Sequence, residues 1–556
     1  MIFGKDKQRL ESLQNTVTSL TEKLNEVKTE SVKIVERQYN MARVDRLSAE
    51  WNSFARSFNY DIKVGGAAML ARGRELYQND PHAKKIVRNF VRGIIGSNGF
   101  TLRNKAGEWK QIGAEWKFVL DTLANYKINE AWYQYGIKKY ISIEGDQTSR
   151  EHDKTILTSC FVDGEIFIRP LEGKSFNPFG FTTQLITSEM VDWKLNKELP
   201  NGNFIVMGIE VTPYFKKAAY WIRKHDPKTE TDYGYNWTAN YDRIPADKII
   251  HLYKKETVHQ LRGITQFAPV GIRLKMLYGI EEAALVRMRA SANVPWVYEE
   301  IPNQLGGSGS LASVGQSKDA SGNQILESEK GSILTAPKGY QVKSLESDFP
   351  GQTYGPFKDG ILHSAAAGVN QEFASVSGDW SGYNYSVSRA ANEEPRDEHK
   401  DNQAWYAEQY KNPIFAQWLA MALLSNQLTL PYTAEKFEKF NRPYFFGRRW
   451  QYANPTDEMT SNILGLQSFQ KSFESVLADQ GLDLEEQLDQ IVTERDMFKK
   501  KGLEDLYTLL MTKYVAKDSP QSAAGGSSNS QQSNNNNNSN NGNGNGKAKH
   551  LLTEFK

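Results

Sequence analysis

Cysteine is nearly missing from this chain: Cys160 stands alone among 556 residues. A single thiol excludes an internal disulfide framework and fits folding in a reducing cytoplasm. Long apolar runs are missing as well. None approaches the ~20 residues needed to cross a bilayer. The start, MIFGKDKQRLESLQN, lacks the apolar core of a signal peptide. A soluble chain made inside the cell, with no membrane partner, is therefore expected. Neither sign of charge is in excess: 68 Lys and Arg face 66 Asp and Glu, for a net charge of +2. That excludes a broad basic surface as the source of nucleic-acid affinity. It does not exclude a channel through which DNA slides, where tight phosphate binding would act as a brake.

Histidine is scarce too, with eight in the chain. His251 and His259 have no Cys or His neighbour at ligand spacing, so each reads as structural. There is no GxSxG, no Walker loop and no Cys with a credible base. GGSGSLASVG, within the Gly/Ser-rich stretch from Gly306 to Asn323, lacks the Lys-Ser/Thr ending of a phosphate-cradling loop and reads as a loop at a tip. No cofactor, metal or catalytic residue is expected. One enzymatic alternative stays open: Asp163 and Glu165 flank Gly164, and paired acids can hold a divalent ion in a DNA nuclease. The same Asp163-Gly164 also reads as a hairpin turn within CFVDGEIFIR (Cys160 to Arg169).

What is present is enough apolar and aromatic residue for more than one core, 39% and 12% of the chain, so two or more domains are expected. The fold class is α+β, mainly helical. From Leu10 to Ile34 a heptad runs, with Leu10, Val17 and Leu24 at one position and Leu13, Leu20, Val27 and Ile34 at the other. It fits a coiled coil that pairs copies or docks a partner, as in a scaffold or adaptor protein. It fits equally an amphipathic helix folded onto its own domain. Asn79-Asp80-Pro81 starts a helix whose apolar face is Ile86, Val87, Phe90 and Val91. Its basic residues Lys84, Lys85, Arg88 and Arg92, with Arg72 and Arg74 before it, read as a solvated face before they read as contacts to phosphate. Strands are expected at Phe204 to Val211, Ala219 to Ile222 and Lys248 to Tyr253.

Thr265 to Ala292 is the longest helical pattern, a rod of roughly 40 Å at ~1.5 Å per residue. Leu274, Leu277, Tyr278, Ile280, Leu285 and Met288 spread over more than half its circumference, so it wants neighbours on two sides. Strand-like segments follow at Trp296 to Glu300 and Gly339 to Leu345. A second helix, with Ile361, Leu362, Ala365, Ala366 and Val369 as its stripe, then leads into a loop, Ser375 to Tyr385. There Ser, Gly and Asp alternate with Trp380, Tyr383 and Tyr385. Such a loop reaches across an opening and presses flat side chains on what lies there, or packs against its copies. Helices are expected after Asn454-Pro455 and after Asp483, the latter closed by Lys499, Lys500 and Gly502. Beyond Lys517 the Asn/Gln/Ser/Gly tract cannot bury a core.

Four segments, in order, resemble the lambda-family phage portal proteins: ARGRELYQNDPHAKKIVRNFVRGIIGSNGF (Ala71 to Phe100), HLYKKETVHQLRGITQFAPVGIRLKMLYGIEEAALVRMRASA (His251 to Ala292), NYSVSRAA (Asn384 to Ala391) and RRWQYANPTDEM (Arg448 to Met459). The resemblance covers roughly Ala71 to Gly502. It implies a ring, a 12-mer, at the capsid portal vertex of the virion, assembled in the host cytoplasm, through which double-stranded DNA passes without sequence specificity. It also implies a terminase and then neck or adaptor proteins as partners, with major capsid and scaffold proteins around it.

Transferred by position, residues 41–264 are the wing, 265–292 a stem helix and 293–350 the clip. Residues 351–369 are the second stem helix and 370–385 the tunnel loop. Residues 386–453 are the long wing helix and the run into the crown, and 454–516 the crown helices. Outside the resemblance lie the heptad helix, 1–40, and the tail, 517–556. The implied DNA-facing loop residues are Ser377, Asp379, Trp380, Ser381, Tyr383 and Tyr385, with Trp380 and Tyr383 at the tip. In the stem, Arg273, Lys275, Arg287 and Arg289 either approach phosphates or serve solvation and salt bridges between copies. In the clip, Trp296, Tyr298, Glu299, Tyr340 and Lys343 meet the motor or neck. Glu394-Pro395 falls inside the expected wing helix and should kink or restart it.

Overall fold

A computed structural model of the chain describes residues 12–25, 55–224, 240–293, 296–300, 317–318, 324–325, 340–344, 351–431, 436–450, 455–480 and 484–515. They fall into two compact units, 1–458 and 459–556.

In the first unit, α1 (12–25) carries part of the heptad, and Leu13, Val17, Leu20 and Leu24 are all exposed on it. The rest of the heptad lies outside the described residues. Next come α2 (Phe58–Asn79) and α3 (Pro81–Ile95). The α3 start is as expected: Asp80 accepts from Ala83 N–H at 2.8 Å, Pro81 needs no partner for a missing donor, and Ile86, Val87, Phe90 and Val91 are buried. The polypeptide continues through β1 (Thr101–Asn104), the hairpin β2–β3 (Gly107–Ile112, Glu115–Leu120), α4 (Thr122–Ile137) and α5 (Ser149–Val162), which opens on a capping box of Thr148 and Glu151.

At Asp163-Gly164 the expected hairpin is wrong. Cys160, Phe161 and Val162 form the buried last turn of α5, Asp163 caps it, and Gly164 at φ +91° turns the chain into β4 (Glu165–Glu172). Gly164 is required there, since any side chain would meet the Ile264 backbone. An Asp-Gly pair serves a helix end as readily as a hairpin, and only the tertiary packing of three apolar residues decides.

β4 is the middle of a three-stranded antiparallel sheet between β5 (Phe181–Ile186) and β11 (Ile250–Tyr253). A second antiparallel sheet takes β6 (Lys197–Glu198), β7 (Phe204–Val206), β8 (Ile209–Val211), β9 (Lys217–Arg223) and β10 (Tyr241–Pro245) in sequential order. The expected strand from Phe204 to Val211 is thus two, folded at Met207-Gly208, both at positive φ as such a two-residue turn demands. Phe167, Val191, Ile209 and Tyr220 form a core on this sheet. The larger core gathers around α3, α5 and Trp418.

α6 (Gly271–Asn293) begins six residues later than its sequence pattern suggests. Thr265 accepts from Phe267 N–H through its hydroxyl at 3.2 Å and from Ala268 N–H through its carbonyl at 3.0 Å, so the chain turns before it winds. The two expected strands form as β12 (Trp296–Glu300) and β15 (Tyr340–Ser344) and pair antiparallel, and β13 (Ser317–Lys318) pairs with β14 (Gln324–Ile325) between them in sequence. The remainder of the Gly/Ser-rich stretch lies outside the described residues. α7 (Tyr354–Gly368) is the second expected helix.

The stretch 370–385 is not all loop: α8 (Phe373–Ser377) adds one and a half turns, and Tyr385 is the first residue of α9 (Tyr385–Tyr406). Pro395 does not restart α9, which runs through it with only the Ala391 carbonyl deprived of its donor. A π-helical segment, 407–411, joins α9 to α10 (Asn412–Leu424) and brings Lys411 to the buried carboxylate of Asp153 at 2.7 Å. α11 (Phe437–Phe440) and β16 (Pro443–Phe446), paired with β1, follow.

α12 (Pro455–Gln467) opens on Pro455 and spans the boundary between units. The second unit continues with α13 (Phe473–Gln480), α14 (Leu484–Lys500) and α15 (Glu504–Val515). Gly502 at φ +70° follows Lys499 and Lys500 at the end of α14, as expected, while Asp483 and the 517–556 tail lie outside the described residues.

Candidate functional site

The loop between α8 and α9 is built from short local bonds. Glu372 caps α8 by accepting from Ser375 N–H at 2.9 Å, and Gly378 at φ +87° ends it. Ser377 Oγ accepts from Asp379 N–H at 3.1 Å, and Asp379 accepts from Ser381 N–H at 2.9 Å, which holds its carboxyl below the usual range. Tyr383 donates its hydroxyl to Glu372, and that bond pushes its pKa up to about 12. Its ring meets Trp380 edge-on at 5.7 Å. Of the two tip aromatics, Trp380 is the more open, while Tyr383 is tied to the base of its own loop. The Tyr385 side chain lies outside the described residues. The root of the loop is pinned to α3: Asn89 donates to Ser375 O at 2.9 Å, and Gln371 donates to Ile86 O at 2.9 Å.

α6 presents two apolar faces. Leu274, Leu277 and Ala284 are buried against the rest of the unit. At about 100° per residue, Ile272, Met276, Gly279, Ala283 and Val286 line the opposite side. Ile272, Met276 and Val286 on it are 68%, 63% and 60% exposed. The four stem cations flank this stripe as two pairs, Arg273 with Arg287 and Lys275 with Arg289. Lys275 is bonded to Glu75 at 2.7 Å, while Arg273, Arg287 and Arg289 make no ion pair among the described residues. Lys358 of α7 bridges to Glu281 of α6 at 2.5 Å, which helps keep the two rods together. The strands β12 and β15 bring the expected docking residues Trp296, Tyr298, Glu299, Tyr340 and Lys343 into one ladder, with Tyr298 opposite Val342; their side chains lie outside the described residues.

Asp163 and Glu165 do not form a metal pair. Asp163 holds Arg74 in a two-pronged bond at 2.8 Å on each oxygen, so Arg74 is no solvated cation. Glu165 is fully buried, and both its oxygens are taken: one by Arg262 Nε at 2.7 Å and Ser188 Oγ at 2.6 Å, the other by His251 Nε2 at 3.0 Å and Gly263 N–H at 2.8 Å. Burial alone would raise its pKa, but Arg262 and His251 outweigh that and hold it far below the carboxylate range. His251 is neutral, its pKa pushed down to about 3 by burial and by Lys217, whose Nζ donates to Nδ1 at 2.9 Å. It is structural, as expected, and His259 stacks on Phe215 at 4.4 Å. Among the described residues no cluster of His, Cys, Asp and Glu suits a metal ion, and no helix is long and apolar enough to cross a membrane.

Sequence reasoning missed a cavity of about 400 Å³ beside the loop, where Asn89, Arg92, Trp380, Arg396, His399 and Arg448 converge. Asn89 and Arg92 in Ala71 to Phe100, Trp380 in the loop and Arg448 in RRWQYANPTDEM all stood in segments that drew notice; their convergence with Arg396 and His399 did not.

The family described as phage portal protein, lambda family, matches residues 44–403. A probable portal protein of Halomonas phage phiHAP-1 is 24% identical over 481 residues, spanning 85% of this chain and 88% of the relative. Among solved structures, a chain in the neck of an empty GTA particle has a TM-score of 0.38 and one in the virion of a native gene transfer agent particle 0.37. Both are 10% identical and cover 75% of this chain and 93% of theirs.

Proposed function

The chain belongs to the lambda family of phage portal proteins, and from that premise we propose that roughly twelve copies close into a ring enclosing a DNA channel. The observation that carries this reading is the second apolar face of α6, uncovered in one chain and opposite the buried one. A neighbouring copy of the α6–α7 pair covers it, and repeating that heterologous contact closes the ring. Flanking cations then line up near the copy-to-copy seam and near the channel, where Arg273 and Arg287 meet passing phosphates.

The α8–α9 loop narrows the pore, with Trp380 the side chain that touches DNA and Tyr383 bracing it from behind. The ladder of β12 and β15 belongs to the clip, which docks a terminase during packaging and neck proteins afterwards, so DNA leaves by the route it entered. The second unit belongs to the crown. The ring does no chemistry. It is a conduit and a docking platform, and its near-zero net charge keeps DNA from sticking. The test is direct imaging of purified protein by negative-stain electron microscopy: rings with a central hole support the reading, and a stable monomer or dimer under all assembly conditions defeats it.

A further inference from the structure

Three guanidiniums line the cavity beside the loop: Arg92 from α3, Arg396 from α9 and Arg448 from the segment after β16. They face one carboxylate, Glu372, which Ser375 N–H and the Tyr383 hydroxyl already occupy. None of the three arginines makes an ion pair among the described residues. Burial, then repulsion from Arg92 and Arg396, lowers the pKa of Arg448. His399 also lines the cavity, and its Nδ1 is buried with no hydrogen-bond partner.

Two of the lining side chains are held in place by their surroundings. The His399 ring is seated on Gly93, where a methyl group would overlap it, and it lies parallel to Trp450 at 6.1 Å. Arg448 is fixed by its backbone, which accepts from Gln403 at 2.9 Å and donates to Ile94 O at 2.9 Å, and its guanidinium lies 5.5 Å over Trp450. Three positive charges against one negative leave a surplus of two, with Arg396 and Arg448 half-buried and Arg92 exposed at the cavity.

We propose that this cavity is a phosphate-binding site, taking either a phosphodiester of DNA or free phosphate on Arg92, Arg396 and Arg448. Planar guanidinium forks match tetrahedral phosphate oxygens, which offer acceptors in more directions than the two oxygens of a carboxylate. The site is complete within one chain. Only the DNA source rests on the ring reading above.

Calorimetric titration of the purified chain with inorganic phosphate, and separately with a short DNA duplex, tests it, using Arg92→Gln and Arg396→Gln variants whose melting is first checked. Phosphate binding weakened about tenfold or more by each variant is the expected result. Restoration toward the original affinity by Arg396→Lys supports it further. Where the duplex also binds, each variant lowers the salt slope by about 1, which assigns the site to DNA; phosphate binding without duplex binding assigns it to free phosphate. No phosphate binding overturns the proposal, as does equal binding by folded variants. Variants that abolish ring formation while phosphate affinity stays unchanged also overturn it, in favour of a neighbouring copy's carboxylate. Failure of the ring reading leaves the phosphate titration standing, so the two are separable.

Discussion

Replacing Glu165 by Gln tests how the start of α6 is anchored. Arg262 is fully buried and spends every donor: Nε on Glu165, one terminal nitrogen on Val191 O at 3.0 Å and Met207 O at 2.7 Å, the other on Ser188 O at 2.9 Å and Ser188 Oγ at 3.1 Å. Its guanidinium also lies 3.8 Å over the Trp193 ring. The amide of Gln would keep one acceptor but turn a donor toward His251 or Gly263, and it would leave the arginine charge uncompensated in the core. Breaking a buried pair in this way costs about 3–5 kcal/mol, a large share of a domain's ~5–15 kcal/mol. Urea unfolding followed by circular dichroism reads the loss. Arg262→Met should cost a similar amount alone, and the double variant less than the sum, because each single change strands the other charge. A loss below about 1 kcal/mol for Glu165→Gln would refute the reasoning. The lock matters beyond stability, since it ties β4 and the turns at Val191 and Met207 to the chain running into α6.

Met276→Asp, on the uncovered stripe of α6, should leave the unfolding of the single chain within about 0.5 kcal/mol yet abolish assembly; sedimentation velocity reads both species. Deleting Ser377 to Tyr383 should spare ring formation and impair DNA packaging or retention, and normal yields of filled heads would refute the loop's role. His152, His251 and His399 are held neutral at about 3, about 3 and about 4, chiefly by burial. Their folded values lie below the unfolded ~6.5, so their contribution is complete above that pH and is lost as pH falls through the window down to the folded values. Between about pH 7 and 5.5 the free energy of unfolding should drop by roughly 1 kcal/mol from each ring, and equal or greater stability at the lower pH would contradict this. Removing Met1 to Tyr39 should leave the ring intact, measured by the same sedimentation.

Local chemistry made part of this molecule legible. Asp80-Pro81 declared the start of α3 and the Lys499, Lys500 and Gly502 run declared the end of α14, whereas the open stripe of α6 through Ile272, Met276 and Val286 is not the set that the helical pattern singled out. Where two structures share one local signal, reading the chain went wrong. Asp163-Gly164 suits a hairpin or a helix end, and the apolar residues before it decide only through their partners in the core. Thr265 to Val270 carry helical spacing but spend their polar groups on turns. The buried bond between Glu165 and Arg262 joins residues 97 apart in sequence, and the arginine cavity draws on α3, α9 and the segment after β16. No pattern within a window records such meetings. The loop was legible in composition, but its ties were not: nothing short of coordinates shows that Tyr383 is committed to Glu372 while Trp380 stays open.

The central claim is tested most directly by electron microscopy of the purified protein at assembly concentration. The account predicts closed rings of roughly twelve copies with an axial hole, lost on Met276→Asp. Discrete single chains or pairs at every concentration and salt tried, from protein shown to be folded, would contradict it.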